Sequence, residues 1–396
     1  MDALTHFPPT RTAALKRLSD FLPRAGKDYA AQRNYDRGPG HHTGVSTLSP
    51  YIRHRVLTEA EVLEAVLGRF APSTAEKFVQ EVFWRTYWKG WLELRPEVWT
   101  QYRSALNGAW DAVQTQSGLR ARWEAACKGE TDIDVFNHWA RELVQTGYLH
   151  NHARMWFASI WVFTLRLPWE LGADFFLRHL LDGDPASNTL GWRWVAGIQT
   201  KGKTYLARPD NIAKYTEGRF NPAGLARSAA PIDGPAVPER RFLPAAGQWE
   251  TGKDSALILH HDDLSPGYIL DTGLQPKATA ILRVPNGHSP LDPAPHVETF
   301  RSAAIAEMVQ RYEGRLGTVT EVDVDALGDW ISAQGSAQVV TPWAPTGPVS
   351  DALPSGIIRA RRAYDSAAWP YATHGFFRFK EKIPALIDDM GLRRAA

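Results

Sequence analysis

The strongest constraint on the fold is a change of hydrophobic periodicity near residue 254. Before about residue 220, apolar residues recur at helical spacing and strand signals are few. Residues 221–250 are rich in Pro, Ala and Gly, which is typical of a linker. Beyond them, short apolar runs alternate with helical stretches, which indicates a parallel sheet covered by helices. The sequence therefore predicts a mainly α chain: an all-helical domain over 1–220, that linker, and a smaller α/β parallel-sheet domain over 251–396.

Local signals predict the bounds of several elements. A capping box begins at Thr58, and Gly147 suits a left-handed helix cap. The predicted helices of the first part include 76–94, 134–146 and 150–167. The predicted strands of the second part are 256–259, 280–284, 318–322 and 337–340, and its predicted helices are 298–312, 325–333, 354–364 and 380–390.

Composition excludes several classes of protein. Charge is nearly balanced, with 45 Lys+Arg against 43 Asp+Glu, so the chain is not a basic nucleic-acid protein by composition. Net charge does not exclude a local basic patch. Cys127 is the only cysteine, which excludes internal disulfides and cysteine metal clusters, and no metal site is predicted. The N-terminus lacks the order of a signal peptide, and the apolar run 155–167 is too short to span a bilayer. We expect a cytoplasmic protein without a membrane segment.

Tryptophan is concentrated in one segment. Twelve of the 16 tryptophans fall between Trp84 and Trp194. Most tryptophans serve packing, so the ordinary interpretation of any single one is a core residue. Their concentration leaves a second interpretation open, which is stacking on a planar ligand or passage of electrons.

The segment from Ser46 to Pro50 is the first motif with chemical content. Ser49 is predicted to cap a helix whose first position is Pro50, where a missing N–H costs nothing. Hydroxyls and free N–H groups at such a helix end can cradle an anion. Taken alone the signal is weak, because most helix starts of this kind bind nothing.

Glu81, Trp84 and Arg85 have the spacing of one helix face, at i, i+3 and i+4. One interpretation is an ordinary ion pair beside a core tryptophan, and the other is a binding face. Further along, Asn151 and Met155 lie one helical turn apart and can face the same cavity. A carboxylate in Asp182-Gly183-Asp184 can accept hydrogen bonds from Arg154, although such a tripeptide is often a turn or a metal-binding fragment.

The ordered series of motifs resembles the photolyase/cryptochrome flavoproteins. The run 146–155, the segment 182–188 with its final Asn, and the Gly-Trp-x-Trp segment 191–194 match the family's signatures most strongly. The resemblance implies a helical FAD-binding domain. The FAD-binding residues that it implies are Tyr29, Ser46, Thr47, Leu48, Ser49, Phe78, Arg85, Asn151, Arg154, Asp182, Asp184 and Asn188.

The resemblance is greatest to the enzymes that repair cyclobutane pyrimidine dimers. It implies a carbon–carbon lyase in which photoexcited reduced FAD gives an electron to a flipped-out dimer in UV-damaged DNA. The implied dimer-pocket residues are Glu81, Trp84, Asn151, Met155 and Trp194. The residues expected to take part in electron transfer or catalysis are Trp192, Trp169, Trp110, Asn188 and Glu81, with Trp99 as the alternative to Trp110.

Two departures from the family pattern favour an alternative function, a blue-light photoreceptor with the same flavin and tryptophan chain. They are the rearranged domain order and His152, which replaces an arginine expected to touch DNA phosphate. Val45 replaces a threonine of the motif that holds the FAD phosphates. A flavoprotein with a dark redox role is a third hypothesis. The resemblance also allows the α/β domain to be an antenna-like domain relocated to the C-terminal side, with its chromophore unidentified.

Two features of the second part lie outside the family motifs. The histidines and aspartates of 260–263 follow a predicted strand and are interpreted as a solvated strand-to-loop junction rather than a metal site. The aromatic segment 369–379 is predicted to seal the α/β domain against its neighbour.

Overall fold

The structure, a computed structural model, describes residues 3–284 and 289–392. Its first part contains helices only. Their bounds are α1 Ala3–His6, α2 Arg11–Phe21, α3 Lys27–Gln32, α4 Ser49–Arg53, α5 Glu59–Leu67, α6 Glu76–Glu93, α7 Glu97–Thr115, α8 Ser117–Lys128, α9 Asp134–Thr146, α10 Asn151–Ser159, α11 Trp169–His179, α12 Pro185–Val195 and α13 Pro209–Tyr215. The chain is therefore mainly helical up to the segment that precedes the sheet.

The second part contains a five-stranded parallel sheet of order β3-β2-β1-β4-β5. Its elements are β1 Ser255–Leu259, α14 Gly267–Leu270, β2 Pro276–Arg283, α15 Pro295–Arg311, β3 Thr318–Asp323, α16 Leu327–Gln334, β4 Gln338–Pro342, α17 Pro348–Ala352, β5 Ile358–Ala360, α18 Ala363–Ala368, α19 Phe376–Lys380 and α20 Ile383–Asp389. Every residue of β1 is buried, as expected of the central strand of a parallel sheet.

Several predicted helix bounds are confirmed. The predicted helix 134–146 is α9, and Gly147 closes it with φ of 66°. The predicted capping box is also present, because the Thr58 hydroxyl accepts from the Glu61 backbone N–H and the Glu61 carboxylate accepts from the Thr58 N–H. The predicted helix 150–167 ends earlier, since α10 passes into a π-helical turn over Ile160–Thr164.

Three predictions of local structure are wrong. Ser49 is the first residue of α4 and does not cap it, because the preceding position is occupied by Leu48. The predicted helix 354–364 contains β5, a three-residue strand formed by pairing with β4, so local periodicity did not indicate it. Strand β2 also begins four residues before its predicted start at 280. For the two strands, pairing with neighbouring strands outweighs the local pattern.

The segment 221–250 contains neither helix nor strand and is mostly exposed. It contacts both parts of the chain through its backbone. The Arg241 N–H donates to the Leu94 carbonyl at 2.8 Å, and the Gly247 N–H donates to the Arg359 carbonyl at 2.9 Å. The segment therefore follows the surface as an extended strap.

The carboxyl edge of the sheet faces the helical part through buried ion pairs. Arg53 donates to Asp262 at 2.6 Å, and Arg55 donates to Asp365 at 2.7 and 2.8 Å. Asp263 accepts from Arg362 at 2.7 Å. The interpretation of 260–263 as a solvated junction is therefore wrong, because these side chains are buried against the helical part.

Helix α6 packs closely against the second part. A Cβ at Gly90 would lie 2.9 Å from the Trp369 ring, so this glycine allows the close approach. Glu93 accepts from the Trp343 indole N–H at 3.1 Å. The predicted sealing role of 369–379 is confirmed for Trp369, which is fully buried, but not for Phe377, which is 80% exposed.

Candidate functional site

Helix α6 carries the predicted binding face. Arg85 lies between two buried carboxylates: its Nε is 3.8 Å from the Glu59 Oε1, and its Nη2 is 3.9 Å from the Asp184 Oδ1. Both nitrogens are buried and have no hydrogen-bond partner among residues 3–284 and 289–392. The guanidinium thus keeps donors free for an acceptor that the chain itself does not supply.

Asp184 is fixed at the start of α12. Its Oδ2 accepts from the Ser187 N–H at 2.9 Å and from the Ser187 hydroxyl at 2.7 Å. Burial alone would raise the pKa of Asp184, but Arg85, Lys89 and Arg53 lower it well below the usual range. Asp184 is therefore ionised and oriented.

Asp182 and Arg154 form the ion pair that the sequence predicted. Arg154 donates to the two oxygens of Asp182 at 3.0 and 2.8 Å. Nearby in sequence, Asn188 donates its Nδ2 to the Ala173 carbonyl at 2.8 Å, which orients its amide oxygen away from α11. The roles of these three side chains toward a cofactor stay predictions.

The segment 46–49 borders a pocket of about 450 Å³. Ser46 and Thr47 line it, whereas Leu48 is fully buried. Thr47 has φ of 50°, a conformation that a β-branched residue rarely adopts and that is often found at functional sites. Arg17 donates to the Thr47 hydroxyl. The sequence did not indicate Arg17, because no motif connects α2 to this segment.

The pocket has further unpartnered polar atoms. The Tyr51 hydroxyl and the His42 Nδ1 are buried without hydrogen-bond partners in the described part of the chain, and both residues line the pocket. Tyr29 and Phe78 lie behind it, where each ring contacts Phe21, at 5.9 and 4.9 Å between centroids. Tyr29 and Phe78 thus pack against Phe21, which lines the pocket, and do not line it themselves.

The predicted dimer-pocket residues are all at least partly exposed. Asn151 is exposed, and the other four are partly exposed; these four are Glu81, Trp84, Met155 and Trp194. Asp182 and Asp184, by contrast, are buried. The predicted substrate side therefore faces solvent.

The segment at the end of α3 connects α6 with α10 at this solvent-facing side. Arg33 forms an ion pair with Glu81 on α6. The next residue, Asn34, has its carbonyl 3.0 Å from the Nδ1 of His152 on α10. Glu81 is therefore close to the α10 residues even though they are distant in sequence.

Two predicted dimer-pocket tryptophans stack on rings of the same chain, which the sequence did not predict. Phe376 of α19 lies parallel to Trp84, with 3.6 Å between ring centroids and 12° between planes. Trp194 stacks on Tyr205 at 5.6 Å. One face of Trp84 is therefore covered by the second part of the chain.

Two members of the predicted tryptophan chain contact aromatic rings that the sequence did not indicate, Tyr102 and Trp123. Trp169 contacts Tyr102 at 5.6 Å between centroids, and Tyr102 contacts Trp99 at 5.4 Å. Trp110 contacts Trp123 at 5.2 Å. Ring contacts thus extend from Trp169 toward the alternative Trp99, which is nearly fully buried.

Trp192, the predicted proximal member of the chain, lies deep between α11 and α12. Its ring contacts Phe176 at 5.1 Å and Trp161 at 6.2 Å. Its indole nitrogen is buried and has no hydrogen-bond partner among the described residues. The order of electron transfer stays a prediction.

His150 makes the site sensitive to acid. Its Nδ1 accepts from the His152 N–H at 3.2 Å and so caps α10 in the deprotonated form. Burial is the main cause that lowers the pKa of His150, to about 3. In the unfolded chain the pKa of His150 has its ordinary value of 6.5. As pH falls, the unfolded state therefore binds a proton before the folded state does, and the free energy of unfolding decreases below pH 6.5.

We expect the free energy of unfolding to fall by about 2 kcal/mol more between pH 7 and 5 in the native protein than in His150→Asn. Asparagine keeps a capping oxygen but does not titrate in this range. Urea unfolding at both pH values measures the difference. Equal losses in the two proteins would show that His150 does not control acid stability.

The helical part of the chain is similar to known proteins. Residues 78–225 match a family model described as the FAD binding domain of DNA photolyase. A deoxyribodipyrimidine photo-lyase of Alkalihalophilus pseudofirmus is 32% identical over 199 residues, covering 49% of this chain and 39% of that protein. One from Synechococcus sp. is 30% identical over 246 residues, covering 60% and 46%. The structure of a class III photolyase from Agrobacterium tumefaciens aligns with a TM-score of 0.45 and 28% identity, over 53% of this chain and 43% of its own.

The matched region contains Arg85, Arg154, Asp182 and Asp184, and it defines a FAD-binding flavoprotein domain. Through this helical part the chain is similar to DNA photolyases. The chain spans less than half the length of these two curated relatives. The activity that their names give belongs to those proteins.

The residues present fit FAD. The free donors of Arg85 suit a polar edge or phosphate of the cofactor, and the hydroxyls of Ser46 and Thr47 beside Arg17 suit a diphosphate. Tyr51 and His42 add unpartnered polar atoms to the same pocket.

None of the helices within 3–284 and 289–392 combines the length and apolar character needed to cross a membrane.

Proposed function

We propose that the protein repairs cyclobutane pyrimidine dimers in DNA, driven by light. The observation that carries this proposal is that every residue of the predicted dimer-pocket set is at least partly exposed, whereas the carboxylates of Asp182 and Asp184 are buried. The curated relatives, at about 30% identity, are named deoxyribodipyrimidine photo-lyases, which supports the same substrate class. When bound and reduced, FAD would supply an electron on absorbing light.

The tasks of the chain's own residues are positioning and electrostatic control. Arg85 and the Arg154–Asp182 pair would hold and orient the cofactor through charge-assisted hydrogen bonds. Asn188 would present its amide oxygen to the flavin without adding charge. Burial of Asp182 and Asp184 excludes water from this side.

On the exposed side, Glu81 would hydrogen-bond the pyrimidine edges. Arg33 forms an ion pair with Glu81 and so limits the orientations of its carboxylate. Trp84, one helical turn further along α6, and Trp194 on α12 would offer aromatic surface to the flipped dimer. His152, near the same opening, stands where the family carries a DNA-contacting arginine.

Glu81→Ala is expected to slow repair about tenfold or more, because a charge-assisted hydrogen bond to the substrate contributes about 1.5–3 kcal/mol. Loss of dimers from a UV-irradiated oligonucleotide under blue light, with a dark control, measures the rate. The bound flavin, followed by its absorbance, should be unchanged. Glu64→Ala, an exposed glutamate on α5, is the matched control. A full repair rate in Glu81→Ala would remove Glu81 from the mechanism.

The stacking of Phe376 on Trp84 favours one alternative, a blue-light photoreceptor, because a covered tryptophan offers less surface to a dimer. The same assay separates the two functions. Light-dependent loss of dimers supports the lyase. Absence of repair by protein holding fully reduced FAD would contradict the lyase and favour the photoreceptor.

A further inference from the structure

Two exposed phenylalanines lie on segments that come together at the end of α6. Phe377 of α19 is 80% exposed, and Phe242 of the extended segment 221–250 is 98% exposed. Arg241 precedes Phe242 and Arg378 follows Phe377, and both arginines are exposed. We call this region the basic-aromatic surface and define it by Arg240, Phe242, His374, Phe377 and Arg378.

Hydrogen bonds attach both segments to the same part of the helical scaffold. The Arg241 N–H donates to the Leu94 carbonyl at 2.8 Å. Arg95, the next residue, donates to the Thr373 carbonyl at 2.9 Å. The Tyr87 hydroxyl donates to the His374 carbonyl at 2.7 Å. The two exposed phenylalanines are therefore held on fixed supports rather than on free loops.

The basic-aromatic surface adjoins the predicted dimer pocket. Phe376, the residue before Phe377, is buried and stacks on Trp84. Trp84 is followed one turn later by Trp88, at 5.4 Å between ring centroids. Phe377 therefore follows directly on a residue that stacks on Trp84 of the predicted dimer pocket.

The charges of this region favour an anion. Arg240 and Arg378 are exposed and have no acidic partner within 4 Å among the described residues. Arg241 and Lys380 are paired with Glu97 and Glu76. Glu239 and Glu381 are the exposed acidic neighbours in sequence. The unpaired arginines beside exposed rings have the composition of surfaces that bind unpaired nucleic-acid strands, where bases stack on aromatic rings and phosphates meet cations.

We propose that the basic-aromatic surface binds DNA with unpaired bases next to the flipped dimer. Phe377 stacks on a base, and Arg378 and Arg240 contact phosphates. This inference rests on the proposed function, since flipping a dimer leaves neighbouring and opposite bases unpaired. The occupant is the damaged DNA itself, and not a second protein.

The test is the affinity of the FAD-loaded protein for a UV-irradiated oligonucleotide, measured by fluorescence anisotropy in darkness at several salt concentrations. Phe377→Ala should weaken binding about tenfold, whereas Phe377→Tyr should retain it. Arg378→Gln should weaken binding and reduce the salt slope by about one. Arg315→Gln, which alters an exposed arginine before β3, is the matched control and should bind normally.

The outcomes separate this inference from repair. Unchanged DNA affinity of both Phe377→Ala and Arg378→Gln would overturn the inference, even if the native protein repairs dimers. Weakened binding in both, without light-driven repair by any of the proteins, would support the surface and overturn only the proposed function. A concentration-dependent dimer that Phe377→Ala abolishes, without a change in DNA affinity, would overturn the inference in favour of contact between two copies of the chain.

Discussion

Asp263→Asn is expected to lower the free energy of unfolding by about 3–5 kcal/mol, the usual cost of breaking a buried ion pair. Asp263 accepts two hydrogen bonds from Arg362 at 2.7 Å, and Arg55 lies 3.3 Å from one of its oxygens. Asp263 and Arg55 are almost completely buried. Asparagine would remove the negative charge that Arg55 and Arg362 share. Their two positive charges would then lie in a buried site with one carboxylate fewer.

Urea unfolding at pH 7 measures this loss. Asp271→Asn is the control, because Asp271 pairs with Arg315 while 68% of its side chain is exposed, and it should cost less than about 1 kcal/mol. Equal effects of the two substitutions would show that the buried network contributes no more than a surface pair. The expected ranking depends on burial, because the pairs have similar distances.

Arg85→Met is expected to weaken FAD binding about 10- to 100-fold, the equivalent of about 1.5–3 kcal/mol for hydrogen bonds to a charged group. The Arg85 guanidinium has two buried nitrogens without hydrogen-bond partners among the described residues, on the predicted binding face of α6. Methionine keeps much of the apolar stem and removes the charge. The loss should therefore concern the cofactor more than the packing of α6.

Flavin absorbance after gel filtration, and titration of the apoprotein with FAD, measure the affinity without any repair assay. Arg69→Met, which removes an exposed arginine after α5, is the matched control and should hold FAD normally. Undiminished FAD binding by Arg85→Met would place the cofactor elsewhere. Far-UV circular dichroism would show whether the overall helical content of the protein is unchanged.

The sequence predicted elements whose signals are local. Helix α9 was bounded correctly, because Gly147 takes the left-handed conformation that ends it. Strand β5 was not predicted, because three residues carry no periodicity and the strand is formed by pairing with β4. The burial of 260–263 was missed for a related reason: its partners Arg53 and Arg55 are about 200 residues away.

The same distinction applies to the candidate site. The common face of Glu81 and Arg85 follows from helix geometry, and the pairing of Arg154 with Asp182 follows from the family motifs. Arg17 beside Thr47 and Phe376 on Trp84 could not be predicted, because no local pattern connects elements that meet only in the folded chain.

Helix α6 has a mechanical consequence for the whole molecule. One face carries Arg85, and the same helix contacts Trp369 at Gly90 with no space for even a methyl group. Because close-packed interfaces transmit displacement rather than absorb it, the sheet cannot rotate about this contact without moving the cofactor side of the helix. We therefore expect the two parts to behave as one stiff body, in which the extended segment 221–250 serves as a fastening and not as a hinge.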